Sequence, residues 1–475
     1  MADDLIAIID IGKTNAKLSF VDAQSGETTW SMERRCPAVE RSGIRALDVA
    51  GVESLLFAGL AAAPGKERIR AILPVAHGAA AVLLSKSGAV ITAPDYEDPA
   101  FGSVGETYRS LRDPFELTFS PFLPLGLNLG RQLYYLRRTH PELFRACTAI
   151  LLYPQYWAWR LSNVMASEIT SLGCHSDLWR PREGDFSTLA KSLGWDKLLP
   201  PRRAAGDVLG TITTTVARMT GLDPTCRVLC GIHDSNASYL CYRAGRPADE
   251  HFAVVSSGTW TVIMAHGAEL ERLQEGRDML ANIDAFGSPV ATARFPGGRE
   301  YEAIAGDDPL TRQPTLESLK GVLDKRALAL PSFADTGGPF VGQRGKLVDA
   351  EQLDACERGA LATLYCALQT DLLLDLLGAP TPVIIDGPLT ENPLYGPVLA
   401  TLRATPPSDT KKADAPVFAG DNRAGPSECA RFLLGHRPAT QLRRATPLDL
   451  PDLEAYRARW RAEATSRPPS ATPRH

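Results

Sequence analysis

The sequence predicts an α/β protein of two domains, each a sheet covered by helices, and three observations carry the prediction. At 475 residues the chain exceeds what one hydrophobic core ordinarily holds. Its first third alternates strand-like and helix-like segments, the pattern of a sheet with helices packed on it. Its second half then restarts with the opening pattern: an apolar strand, a turn of small residues and a second apolar strand.

Taken in order, Leu5, Ile6, Ala7, Ile8 and Ile9 form an unbroken apolar run, which reads as a buried strand. Asp10 closes it, a short polar turn follows, and "AKLSFVDA" supplies the second arm of a hairpin. "VESLLFAGLAAA" reads as a helix, followed by the strands "IRAILPVAHG" and "AAVLLSKSGAVI". A helical stretch runs through "GRQLYYLRRTHPELFRAC", and "AILLYPQYWAWRLS" comes after it. In the second half "DEHFAVVSSGTWTVIMAHG" repeats the strand, turn and strand. "CERGALATLYCALQTDLLLDLLG" then has apolar residues at helical spacing and stops at Gly378, a suitable C-cap, before the strand "TPVIIDGP". The polar stretch "RAGRPADEH" marks the domain junction, giving domains over 1–246 and 247–440 and an extension over 441–475. The tail "ATSRPPSATPRH" is rich in Pro and Ser, lacks core-forming residues and is expected to be disordered.

Composition excludes several function classes. A net charge of −4 and a pI near 6.1 argue against nucleic acid or acidic membrane as partners. Nine cysteines are scattered without a CxxC pair, and Cys226 and Cys230 lack the second pair that a zinc site needs, so reduced thiols in a cytoplasmic protein are expected. No signal-like opening and no apolar run of membrane-spanning length is read from the sequence.

The opening turn contains Gly12-Lys13-Thr14, the last letters of a P-loop. The full pattern requires a glycine five residues earlier, where Ala7 stands, so the turn is not a P-loop. It must bind phosphate, if at all, in another way. Backbone N–H groups of a tight turn converge on an anion, and Thr and Ser hydroxyls add donors. Two such turns exist, at Gly12–Asn15 and at Ser257–Thr259. Asp10, acceptor-only at a strand's end, suits Mg²⁺, which takes few carboxylates and keeps several waters. A third element, "RVLCGIHDSNASYL", is a short strand followed by His233, Asp234, Ser235 and Asn236 at the start of a helix. Asp234 there is either an N-cap or a carboxylate that takes a proton from a substrate hydroxyl, with His233 as a rival base.

On these residues the chain resembles the FGGY carbohydrate kinases of the actin-like, ribonuclease H-like ATPase superfamily. Asp10, Gly12, Thr14, Asn15 and Lys17 follow that family's first phosphate motif, and Lys13 departs from it by replacing a hydroxyl residue. Ser257, Gly258 and Thr259 follow the second phosphate motif, and Asp234 falls on the catalytic aspartate. The resemblance spans roughly residues 5–435. It implies two ribonuclease H-like domains with a nucleotide and sugar cleft between them, ATP and Mg²⁺ as cofactors, and a small sugar as substrate. It also implies metal contacts from Asp10 and Asp234, and phosphate contacts from both turns. Lys13 would either reach the phosphates or lie against solvent.

The same resemblance places His77, in "PVAHGAAAVL", and Tyr96, in "APDYEDP", near the sugar, where each could equally be a structural residue. It places Gly387 and Asn392 at the adenosine, although Asp386 and Pro388 flank Gly387 where relatives carry more glycine. "RFPGGREYE" reads as a glycine-rich turn. The expected reaction is phosphorylation of a ketose or deoxyketose of the fuculose, rhamnulose, ribulose or xylulose type. The rival readings are a non-kinase ATPase of the same superfamily and a sugar-binding regulator without turnover. A homodimer is left open.

Overall fold

The computed structural model describes residues 4–308, 313–379, 381–404, 416–422, 424–437 and 440–467. The chain forms two compact units. The first comprises Met1–Gly245, Ala281–Pro289 and Arg423–Ala439, and the second Arg246–Leu280, Val290–Asn422 and Thr440–His475. The path thus leaves the first unit after Gly245 and returns to it twice.

The sheet of the first unit runs in the order Val208–Thr211, Arg227–Leu229, Ile69–Ala76, Leu5–Ile11, Asn15–Asp22, Thr28–Arg35. Leu5–Ile11 pairs antiparallel with Asn15–Asp22 and parallel with Ile69–Ala76. The short strand Ile232–His233 also runs parallel to the end of Ile69–Ala76. Both faces of this sheet are covered, which explains the unbroken apolar run of the first strand. Leu5, Ala7, Ile9 and Ile11 enter one core with Val52, Leu56 and Leu60 of the helix Val49–Ala62 and Trp157 of the helix Tyr153–Ser162. Ile6 and Ile8 enter another with Ala237, Leu240 and Cys241 of the helix Asp234–Arg243 and Cys429 and Ala430 of the helix Pro426–Leu433. Each fully buried Leu or Ile stabilises the fold by about 1.5–3 kcal/mol. The alternation puts Asp10 on the face of Ile6 and Ile8, the face that carries the helix beginning at Asp234.

The second unit repeats this plan. Its sheet has Pro289–Phe295, Thr261–His266, Phe252–Ser256, Val383–Asp386, Val417–Ala419 and Arg443–Arg444 in that order. Phe252–Ser256 again forms a hairpin with the next strand and runs parallel to a distant one, Val383–Asp386. The long helix Ala355–Leu377 opens with a capping box between Asp354 and Glu357 and ends on Gly378 in the left-handed conformation. By length and composition it could cross a membrane, yet 89% of its apolar window is buried inside the protein.

Two sequence expectations need correction. Gly297 and Gly298 of "RFPGGREYE" are not a turn but the first residues of the helix Gly297–Ala305. The tail expected to be disordered begins inside a helix: Leu453–Ser466 continues through Ala464, which is fully buried, and Trp460 anchors it by donating to the Ala329 carbonyl at 2.8 Å. Asp371, buried in Ala355–Leu377, also holds Arg457 and Arg461 of this helix. The sequence of the tail hid this because its anchors lie upstream, at Trp460 and Arg457. Residues 468–475, the Pro/Ser-rich remainder, lie outside the described residues.

Candidate active site

In an α/β sheet, ligands bind beyond the carboxyl ends of parallel strands. In the first unit three sequence-predicted residues stand there. Asp10 lies beside Val75 in the parallel ladder, Ile232 flanks the same Val75 from the other side, and Asp234 follows two residues later. Between them the central strand ends at Ala76 and His77, whose N–H donates to the Ile11 carbonyl at 2.9 Å. Asp10 and Asp234 therefore flank His77 at one end of the sheet.

Their electrostatics follow from this packing. Burial, with the charge of Asp234 added, pushes the Asp10 carboxyl up from 3.8 to about 6, against the opposing pull of Lys17. Lys17 is the cross-strand partner of Asp10 and is exposed. Burial lowers the His77 imidazole below its ordinary value, so the ring is neutral. Its Nδ1 donates to the Gly78 carbonyl at 2.9 Å, which leaves Nε2 as an acceptor.

Asp234 is the first residue of its helix rather than the N-cap; His233 holds that place and makes no side-chain cap. Its carboxylate accepts from the Ser235 N–H at 2.6 Å and keeps 38% of its side chain exposed. His233 Nε2 lies 3.2 Å from Asp234 Oδ1 and 3.7 Å from Cys174 Sγ. Burial opposes charge on His233, but the charges of Cys174 and Asp234 outweigh it and push the imidazole up to about 9. A charged ring at this position would act as a partner to the Asp234 carboxylate and not as a proton acceptor.

The turn beside Asp10 closes through the Gly12 N–H to the Asn15 carbonyl at 2.9 Å, with Thr14 and Asn15 exposed. Lys13 behaves differently. Its ammonium lies 3.1 Å from Asp95, 3.3 Å from Glu97 and 5.5 Å from the centre of the Tyr96 ring. Tyr96 in turn meets the His77 ring edge-on at 5.7 Å. His77 and Tyr96 are thus brought together, and Lys13 joins them.

In the second unit Ser257 is buried, and its hydroxyl donates to the Asp386 carbonyl at 2.7 Å while accepting from the Leu389 N–H at 3.0 Å. It braces the two chain segments instead of presenting a free hydroxyl. Gly387 adopts φ +81°, and a Cβ there would sit 2.1 Å from the Ser257 carbonyl oxygen, so only glycine fits. Thr259 is exposed beside Gly258. Gly298 packs under this turn: a Cβ on it would meet the Gly258 carbonyl oxygen at 2.4 Å. Asn392, expected at the adenosine, is committed to its own chain. Its amide donates to Thr363 and its carbonyl oxygen accepts from the Leu394 and Tyr395 N–H groups at the start of the next helix.

Sequence reasoning missed Asp95, Cys174 and Gly298. Asp95 and Cys174 carry no local motif, and Gly298 was legible only as one of two adjacent glycines. A cavity lined by Phe57, Trp159, Thr213 and Met219 includes none of these residues. The active-site assignment therefore stands on the strand-end geometry. Among the described residues no group of three or more His, Cys, Asp or Glu forms a closed metal cage.

Comparison with known proteins bears on the same residues. Residues 125–241 match "FGGY family of carbohydrate kinases, N-terminal domain", and residues 249–425 match "Carbohydrate kinase FGGY, C-terminal domain". A solved carbohydrate kinase from Novosphingobium aromaticivorans is 37% identical with a TM-score of 0.88, covering 98% of this chain and 99% of that one. The L-fuculokinase of Salmonella typhi is 27% identical over 285 residues, 57% of this chain and 58% of its own length. The rhamnulokinase of Bacteroides thetaiotaomicron is 27% identical over 191 residues, 38% of each chain. The match to these curated relatives thus spans well under two thirds of their length.

Proposed function

The chain belongs to the FGGY family of carbohydrate kinases, and on that premise we propose that it transfers the γ-phosphoryl group of ATP to a hydroxyl of a small sugar. The sugar is a ketose or deoxyketose of the fuculose, rhamnulose, ribulose or xylulose type. Similarity to an L-fuculokinase and a rhamnulokinase supports that class. The observation that carries the reading is the pair of carboxylates, Asp10 and Asp234, at one end of the first unit's parallel strands with His77 between them.

Asp234 is the base. Its exposed carboxylate takes the proton of the attacking sugar hydroxyl as the oxygen bonds to phosphorus. The His233 ring, with Nε2 3.2 Å from Oδ1, orients the carboxylate until then. His77 and Tyr96 contact the sugar. Thr14 and Asn15 of the first turn, and Gly258 and Thr259 of the second, bind phosphate oxygens through N–H and hydroxyl donors. Phosphoryl transfer asks little covalent chemistry of the protein, so positioning and charge stabilisation carry the rate.

Asp10 and Asp234 also fit Mg²⁺. The charge of Asp234 adds to burial in raising the Asp10 carboxyl, and a cation shared between the two would relieve it; Mg²⁺ takes few carboxylates and keeps several waters. When bound, Mg²⁺ would neutralise phosphate charge.

The test is a coupled assay of ADP release over a panel of ketoses, aldoses and polyols, followed by the Asp234→Asn variant on the best sugar. Sugar-phosphate formation should fall by at least about 10²-fold, the usual range for a lost general base, with ATP binding retained. Asn keeps the size of the side chain but cannot take the proton. Near wild-type turnover by the folded variant would sink the mechanism.

A further inference from the structure

Lys13 stands in a phosphate turn, and a free ammonium there would read as a phosphate ligand. The geometry argues otherwise. Asp95 is fully buried, and its carboxylate is held by Lys13 at 3.1 Å, Arg45 Nε at 2.9 Å and its own chain's Glu97 N–H at 3.1 Å. Burial disfavours charge on Asp95, yet these donors keep its carboxyl below the ordinary value. Withdrawing Lys13 to reach a phosphate would strip a buried carboxylate of one of its two cations, which is strongly unfavourable. The loop bearing Asp95 is already tied on its far side. The Asp95 N–H donates to the Arg45 carbonyl and the Gly126 N–H donates to the Tyr96 carbonyl. Lys13 is the link on its near side, and the ring it stands over is the one packed against His77.

We propose that Lys13 is a positioning residue for the sugar: through Asp95 and Glu97 it fixes the loop that holds Tyr96 against His77, and so joins the first phosphate turn to the sugar contacts. The inference rests on the kinase reading above and deepens it, since it moves a residue of the phosphate motif to sugar recognition.

Steady-state kinetics of Lys13→Met and Lys13→Arg, on the sugar that the wild type phosphorylates, test it. Lys13→Met should raise the sugar KM by about tenfold, the low end of what a charge-assisted hydrogen bond is worth, and leave the ATP KM within about twofold. Lys13→Arg, which restores the charge to Asp95, should recover most of the sugar KM. A role confined to folding would lower thermal stability without this split between the two substrates. A raised ATP KM with an unchanged sugar KM would overturn the inference, as would unchanged kinetics. If the wild type itself releases ADP with no sugar in the panel, the kinase reading fails and takes the inference with it. A working wild type with the wrong split fails the inference alone.

Discussion

Replacing Asp10 with Asn should cost the enzyme its activity while making the free protein more stable, and the size of the gain follows from the site. The Asp10 carboxyl is raised from 3.8 to about 6, first by burial and then by Asp234. A raised carboxyl binds its proton more tightly folded than unfolded, so its contribution is greatest below pH 4 and is lost as pH rises through about 6. At pH 7.5 the folded protein then holds an ionised carboxylate at a cost of about 3 kcal/mol, from roughly two pH units at 1.36 kcal/mol each. Asn carries no charge and escapes that cost. Urea unfolding in EDTA, without nucleotide, should show Asp10→Asn more stable than wild type by about 2–3 kcal/mol at pH 7.5 and about 1–2 kcal/mol at pH 5. Near pH 4 the two should be almost equal. Activity should fall at every pH, because the carboxylate that would hold the cation is gone. A gain independent of pH, or no gain at pH 7.5, would refute the assigned burial and the coupling to Asp234.

Further outcomes are expected elsewhere in the molecule. Gly387→Ala forces a Cβ to within 2.1 Å of the Ser257 carbonyl oxygen at a positive φ, so it should raise the ATP KM and lower stability by about 1–3 kcal/mol; calorimetric titration with a non-hydrolysable nucleotide and a melting curve check both. Trp460→Ala removes a fully buried ring and its bond to Ala329, and should destabilise the protein by about 3–5 kcal/mol in denaturant titration with little change in sugar KM.

How much of this was legible in the sequence depended on how local the signal was. The run from Leu5 to Ile9 and its echo from Phe252 to Val255 announced two buried strands, each followed by a small-residue turn. Asp10 and Asp234 could be picked out because each ends or follows a strand within a few residues of sequence. Their meeting at one end of the same sheet could not be read locally. It depends on Ile69–Ala76 lying between them, a pairing that spans more than 150 residues. Asn392 shows the opposite difficulty: a polar residue after a strand resembles a ligand contact, and its bonds to the Leu394 and Tyr395 N–H groups are invisible in the sequence.

Lys13 sharpens the point. Sequence placed it correctly in a turn and left its target undecided, because a lysine reaches several ångströms and the choice among anions is made by the rest of the fold. The deciding residue, Asp95, sits 82 positions away and matches no pattern. What fixes the choice is burial: an exposed Asp95 would compete poorly with a triphosphate, whereas a carboxylate with no solvent exposure cannot release a cation cheaply. The same logic applies to His233, which sequence offered as a base. Cys174, 59 positions away, sits at 3.7 Å from its ring and raises its proton affinity, an influence with no motif of its own in the sequence. In this site the residue types that can do chemistry are visible in the sequence, and their roles are assigned by distant buried partners.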